Sequence, residues 1–158
     1  MRNWIMMAAV FAMLLAAGCS GRSARLPEPE LVFYYEDVAI PIAAPAAPVL
    51  EELGEPEDCW EEASCLFDGM DRTYCYGSFY ITTGPSPQGQ RITGIWFADE
   101  QVQTPEGIAI GDKVGEVISA YGPEERGDAL ICDRDNTRLL ILTRDGIVTS
   151  VQYQITGE

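Results

Sequence analysis

The chain carries one apolar pattern twice, and that repetition limits its architecture more than any other feature. Ile40-Pro41-Ile42-Ala43 leads to Val49-Leu50-Glu51-Glu52-Leu53-Gly54, and Ile108-Ala109-Ile110-Gly111 leads to Val117-Ile118-Ser119-Ala120-Tyr121-Gly122. The apolar positions and the closing glycine coincide at an offset of 68 residues, Gly54 to Gly122. Each copy is expected to run from a short strand, Val38–Ile42 or Ile108–Ile110, into a helix. Asp112 is placed to cap the second helix, in which Val114, Val117, Ile118 and Tyr121 recur at i, i+3, i+4 and i+7. Ala46, Val49, Leu50 and Leu53 take those places in the first copy, where Pro48 is tolerable only in a first turn and shortens the helix. Gly54 and Gly122 suit a left-handed stop, with Pro56 and Pro123 just beyond.

Strand patterns follow each helix. Ser64–Phe67, Tyr74–Thr83 and Arg91–Asp99 are expected in the first copy. Ala129–Cys132, Thr137–Arg144 and Ile147–Ile155 are expected in the second, with Asp145-Gly146 a hairpin turn. The last strands also match, Ile92-Thr93-Gly94-Ile95-Trp96-Phe97 against Val148-Thr149-Ser150-Val151-Gln152-Tyr153. The expected fold is therefore α+β: two tandem strand–helix–three-strand repeats, 31–100 and 101–158, with helices packed on one face of antiparallel sheets.

The first residues have a different grammar. Arg2 precedes an uninterrupted run from Trp4 to Ala17, ending in Gly18-Cys19-Ser20. One positive charge, roughly 7–15 apolar residues and a small-residue exit is the layout of an export signal, and the run falls short of the ~20 residues of a membrane span. Leu15-Ala16-Ala17-Gly18-Cys19 resembles the lipobox of bacterial lipoproteins, although leucine stands four residues before the cysteine rather than three. The resemblance implies removal of residues 1–18 and lipidation of Cys19. Two or three acyl chains hold a protein on a membrane essentially permanently. Residues 19–30 are expected to form a polar tether, and the body to lie outside the cytoplasm, on the outer membrane if the host is Gram-negative.

Removing Arg2 with the signal leaves 25 acidic residues against 9 basic ones. Such an excess argues against nucleic acid, whose affinity comes mostly from Lys and Arg on phosphate. The chain has no histidine, so the commonest general base and zinc ligand are missing. Cys59, Cys65, Cys75 and Cys132 remain beside the lipidated residue. An even number in an exported chain points to disulfides. A hairpin centred near Met70 would set Cys65 opposite Cys75, within cross-strand disulfide reach, and leave Cys59 for Cys132. Four free thiols are the alternative.

The segment Gly107 to Gly122 resembles a motif of uncharacterised lipoproteins of Gram-positive anaerobes, and so does Ser64 to Tyr74. The same helix opening is similar to that of the small outer-membrane assembly lipoproteins of the SmpA/OmlA type. The wider layout resembles β-lactamase inhibitor protein, in which two helix-plus-sheet repeats form one concave sheet. The shared positions are those that pack and stop a helix, so the resemblance implies a fold and no particular partner.

Three kinds of site are conceivable. Tyr74, Tyr76 and Tyr80 are expected on one face of a strand, with Cys75, Phe79 and Ile81 on the other. Trp96 aligns with the polar Gln152, which points it away from the helices. Tyr76, Tyr80 and Trp96 are thus expected to line an open sheet face, either as a binding platform or as cross-strand pairs that steady the sheet. Asp68, Asp71 and the Asp133-Arg134-Asp135-Asn136 run offer oxygens, yet neither has the order of an EF-hand loop, and turn formation explains both. Paired carboxylates alone can hydrolyse glycosides, but chance pairs are plentiful in so acidic a chain. Ser64 has no histidine to activate it, and Lys113 is the only lysine. The expectation is a membrane-anchored protein-interaction module for a partner of the cell envelope, with no catalysis, cofactor or metal. A carbohydrate or wall-polymer binder and a structural envelope component are the alternatives.

Overall fold

A computed structural model describes residues 30–65 and 68–156. β1 (Phe33–Tyr35) and β2 (Val38–Ile40) pair as a small ribbon. α1 (Ala46–Leu53), β3 (Asp58–Ala63), β4 (Met70–Cys75), β5 (Phe79–Ser86) and β6 (Gly89–Phe97) follow. α2 (Val114–Tyr121) then leads into β7 (Glu124–Arg126), β8 (Ala129–Arg134), β9 (Thr137–Arg144) and β10 (Ile147–Ile155). Strands β3 to β10 form one antiparallel sheet in the order β3-β4-β5-β6-β10-β9-β8-β7.

The expected α+β pair of tandem strand–helix–three-strand repeats is not what the chain builds. Strand accounts for 50% of the structure and helix for 13%, so this is a β-sheet protein with two short helices. Each half supplies four strands to the sheet. The extra ones, β3 (DCWEEA) and β7 (EER), are fully exposed, so neither shows the apolar alternation by which a half-buried strand is recognised. The two halves also fuse, with Trp96 opposite Gln152, Ile95 opposite Tyr153 and Gly94 opposite Gln154. Separate sheets would leave the apolar strands β6 and β10 each with an open edge, a costly arrangement that pairing removes. Ile108–Ile110 is not a strand either. The Ile108 N–H bonds to the Thr104 hydroxyl at 3.1 Å, and Thr104 N–H returns a bond to the Ile108 carbonyl at 2.8 Å, closing a loop.

The helix ends follow local chemistry. Gly54 (φ 80°) and Gly122 (φ 54°) end their helices in the left-handed region, donating to the Leu50 and Ile118 carbonyls. Asp112 does not cap α2: its carboxylate accepts from the Ala109 N–H at 2.7 Å, while Glu116 accepts from the Lys113 N–H at 2.9 Å and closes the first turn. Asp145 and Gly146 sit at φ 54° and 77°, the two positive angles that the tight β9–β10 turn requires.

Both helices and the ribbon cover one face of the sheet. Val117 and Tyr121 of α2, Ala46 and Val49 of α1, and Phe33 and Ile40 of the ribbon bury with Phe79, Ile81, Ile95, Val151 and Tyr153. Phe33 is fully enclosed, its ring 5.2 Å from Phe79, 5.1 Å from Phe97 and 6.1 Å from Tyr153. Beneath α2 the Tyr121 hydroxyl donates to the Glu106 carboxylate.

Neither the Cys65–Cys75 nor the Cys59–Cys132 disulfide forms. Met70 pairs with Ala63, so it lies inside β4 rather than at the turn, and Cys75 faces Asp58. Cys65 lies beyond Ala63 at the other end of the β3–β4 hairpin, and Asp58 to Ala63 alone is five residue steps, about 17 Å at ~3.3 Å per residue. Cys59 and Cys132 stand six strands apart in the sheet order, about 29 Å at ~4.8 Å per strand. Both spans far exceed the ~7 Å that a disulfide bridges between Cα atoms. Thiol alkylation of the native protein should accordingly modify exposed Cys59 and Cys65 rapidly, and Cys132, 4% exposed, only after denaturant. Protection of Cys59 that is relieved by reductant alone would contradict this arrangement.

Candidate binding face

Among the described residues no helix lies on the second face of the sheet. Pairing registers trace a rung across all eight strands on this side: Asp58, Cys75, Tyr80, Trp96, Gln152, Leu140, Ile131 and Glu124. The neighbouring rung runs Trp60, Thr73, Thr82, Gly94, Gln154, Arg138 and Asp133. Aromatic rings gather where the first four strands contribute. Tyr80 is paired with Trp96, and Trp60 meets Tyr80 edge-on with ring centres 6.0 Å apart at 67°. Trp96 folds back along its own strand over Gly94; a β-carbon on Gly94 would lie 3.5 Å from its Cη2 and 3.6 Å from its Cζ2. The glycine thus lets an indole lie along the sheet with its other face outward. Trp60, Glu62, Thr73, Tyr80 and Trp96 line a shallow depression of about 410 Å³.

Two of the three expected platform residues, Tyr80 and Trp96, meet here. Tyr76 does not. Its ring stacks on Phe79 at 5.4 Å and 14°, and its hydroxyl reaches the Gly54 carbonyl at 3.4 Å, on the helix side. Partial burial, with Tyr74 nearby, raises the pKa of that hydroxyl. The error has a local origin. Tyr74–Thr83 is not one strand: the chain turns at Gly77 (φ 75°), with the Tyr76 N–H bonded to the Phe79 carbonyl at 2.9 Å, and face alternation restarts in β5. Cys75 therefore shares the open face with Tyr80, and Tyr74 the core face with Ile81. Trp60 is the residue that sequence reasoning missed. It stands alone in an acidic stretch, and only its 43% exposure on a paired strand reveals its place.

Asp71 lies in β4 rather than in a turn, whereas the Asp133 run does structural work. Asp133 grips Arg138 through two bonds of 2.7 and 2.8 Å, and this guanidinium holds its carboxyl below the usual range. Asp135, at φ 49°, turns the chain between β8 and β9. Among the described residues no three metal-ligating side chains converge. No helix among them is long and apolar enough to cross a membrane. Cys19 and the export signal lie outside the described residues.

No protein-family model, curated protein or solved structure matches this chain. What the face can do follows from its own chemistry. Large amphipathic rings, partly exposed and preset by strand pairing, lose little entropy when they are covered. The carboxylate of Glu62 sits among them.

Proposed function

We propose that this chain is an extracytoplasmic lipoprotein, anchored to the membrane through Cys19, whose body recognises a protein of the cell envelope. The open sheet face at Trp60, Tyr80 and Trp96 is the docking surface. One observation carries this: three aromatic rings converge on the sheet face opposite the two described helices. Trp and Tyr are the residues on which interface energy most often concentrates. Catalysis has no part in the proposal, since the rings adjoin no nucleophile–base pair and the chain lacks histidine. The acidic balance speaks against a nucleic-acid partner.

A crosslinked pull-down from host envelope extract tests the proposal, using the full chain in non-ionic detergent beside a Trp60→Ala, Tyr80→Ala, Trp96→Ala variant of unchanged circular dichroism. A protein captured by the parent should be depleted by about tenfold or more with the variant, as the loss of two or three interface anchors implies. Equal capture by both proteins removes the face from the proposal, and capture of nothing removes the partner. A wall polysaccharide is the second reading, favoured by the outward indole face of Trp96 over Gly94. It predicts saccharide-dependent quenching of tryptophan fluorescence that Trp96→Ala abolishes.

A further inference from the structure

Charge is uneven on the open face, and its aromatic end is its acidic end. On this face β3 and β4 place Asp58, Glu62 and Asp71 and no basic residue, while Glu61 and Arg72 pair with each other on the opposite side. At the far end Arg138 pairs with Asp133 and Arg126 with Glu124. Glu62 borders the aromatic depression and stands directly opposite Asp71, a like-charge pair that disfavours the empty sheet. One Asp71 oxygen, Oδ1, is covered without a hydrogen-bond partner. Ring faces beside carboxylates attract a cation.

β3 is also the outermost strand, and all six of its residues are exposed. The Ser64 N–H bonds to the Gly69 carbonyl at 3.0 Å. Antiparallel alternation from that pair turns the backbone of Cys59, Glu61 and Ala63 away from β4. The Asp58 carboxylate already accepts from the Cys59 N–H at 2.8 Å, so Glu61 and Ala63 present the outward groups. The opposite edge, β7, offers only three residues. A second copy of the chain is a poor occupant for β3, because it would bring Asp58, Glu61 and Glu62 against acids of their own kind in a chain of net charge −15.

Resting on the binding face proposed above, we infer that an extended Lys- or Arg-bearing segment of the partner protein adds to the sheet along β3 and seats a cation over Trp60 beside Glu62 and Asp71. Backbone bonds at Glu61 and Ala63 set its register. Alternate side chains of the added strand fall on the open face, one strand spacing (about 4.8 Å) from Trp60 and Glu62.

Isothermal titration of the full chain in non-ionic detergent tests this. The probe is a blocked heptapeptide of alternating threonine and arginine, with a twin in which citrulline replaces arginine and keeps its shape without the charge. The arginine peptide should bind about tenfold more tightly than the twin, consistent with a desolvated cation on an aromatic face. Glu62→Gln and Ala63→Pro should each weaken the arginine peptide by roughly fivefold or more, the first by removing charge and the second by removing an outward donor where an edge strand tolerates proline. Glu124→Gln, at the other edge, should leave it unchanged. Equal binding of the twins, indifference to both β3 substitutions, or no binding at all overturns the inference. If the arginine peptide fails while partner capture still needs Trp60, Tyr80 and Trp96, the cationic strand falls and the face stands. If capture is indifferent to the aromatic substitutions, the face falls as well.

Discussion

Phe33→Ala should lower the free energy of unfolding by about 3–5 kcal/mol, the cost of emptying an enclosed phenylalanine site. Phe33 belongs to β1, which pairs only with β2 and makes no backbone pairing with the eight-stranded sheet. Its ring nevertheless sits among Phe79, Phe97 and Tyr153 with no exposure to solvent. These contacts span β5, β6 and β10, so the side chain fastens the ribbon across the junction of the two halves. The neighbouring Tyr34, 50% exposed on the same strand, supplies the control, and Tyr34→Ala should stay within about 0.5 kcal/mol of the parent. Urea titration followed by circular dichroism checks both. A loss below about 1 kcal/mol for Phe33→Ala would mean that the ribbon is not part of the core, since even modest core truncations cost that much.

Alkali should unfold the protein through two buried tyrosines. Burial raises the pKa of the Tyr121 hydroxyl, helped by Tyr153 and by the hydrogen bond to Glu106. Burial also raises that of Tyr153, with the Glu106 carboxylate adding to the effect. The folded chain keeps both protons where the unfolded chain, titrating near pH ~10, releases them. Stability from this source is therefore complete below about pH 9 and falls as pH rises beyond ~10. The limiting slope approaches about 1.4 kcal/mol per pH unit for each tyrosine. Urea midpoints between pH 8 and 11.5 should fall accordingly, and Tyr121→Phe should remove roughly half of the slope. A midpoint independent of pH over that range, or a slope unaltered by Tyr121→Phe, would show that neither hydroxyl is held neutral.

Legibility in the sequence depended on how local the cause was. Gly54, Gly122 and the Asp145-Gly146 pair stand where they were expected because each answers to a backbone angle that its own residues must adopt. β9 and β10 were readable at their full lengths because one face of each is buried and the other is not. β3 was invisible for the opposite reason, since all of it is exposed. With β3 went the register of β4, and with that register both disulfide assignments. The candidate face divides in the same way. The open-face placement of Trp96 followed from aligning two similar strands, whereas its pairing with Gln152 did not, and Tyr76 was misplaced by one unrecognised turn at Gly77.

Composition and periodicity by themselves determined that the chain has two short helices with glycine stops, strands that alternate about a buried face, and a strongly acidic net charge. Each of these is set within a few residues or by a sum over the whole chain. Only the tertiary structure decided that the two halves share one sheet, that the cysteines expected to pair stand far apart, and that Trp60 joins Tyr80 and Trp96. Those outcomes depend on which strand edges meet, and edges are joined by backbone groups that every residue carries alike. The pattern of side chains ranks the faces of a strand, but it leaves the neighbours of that strand to be settled by the packing of the whole molecule.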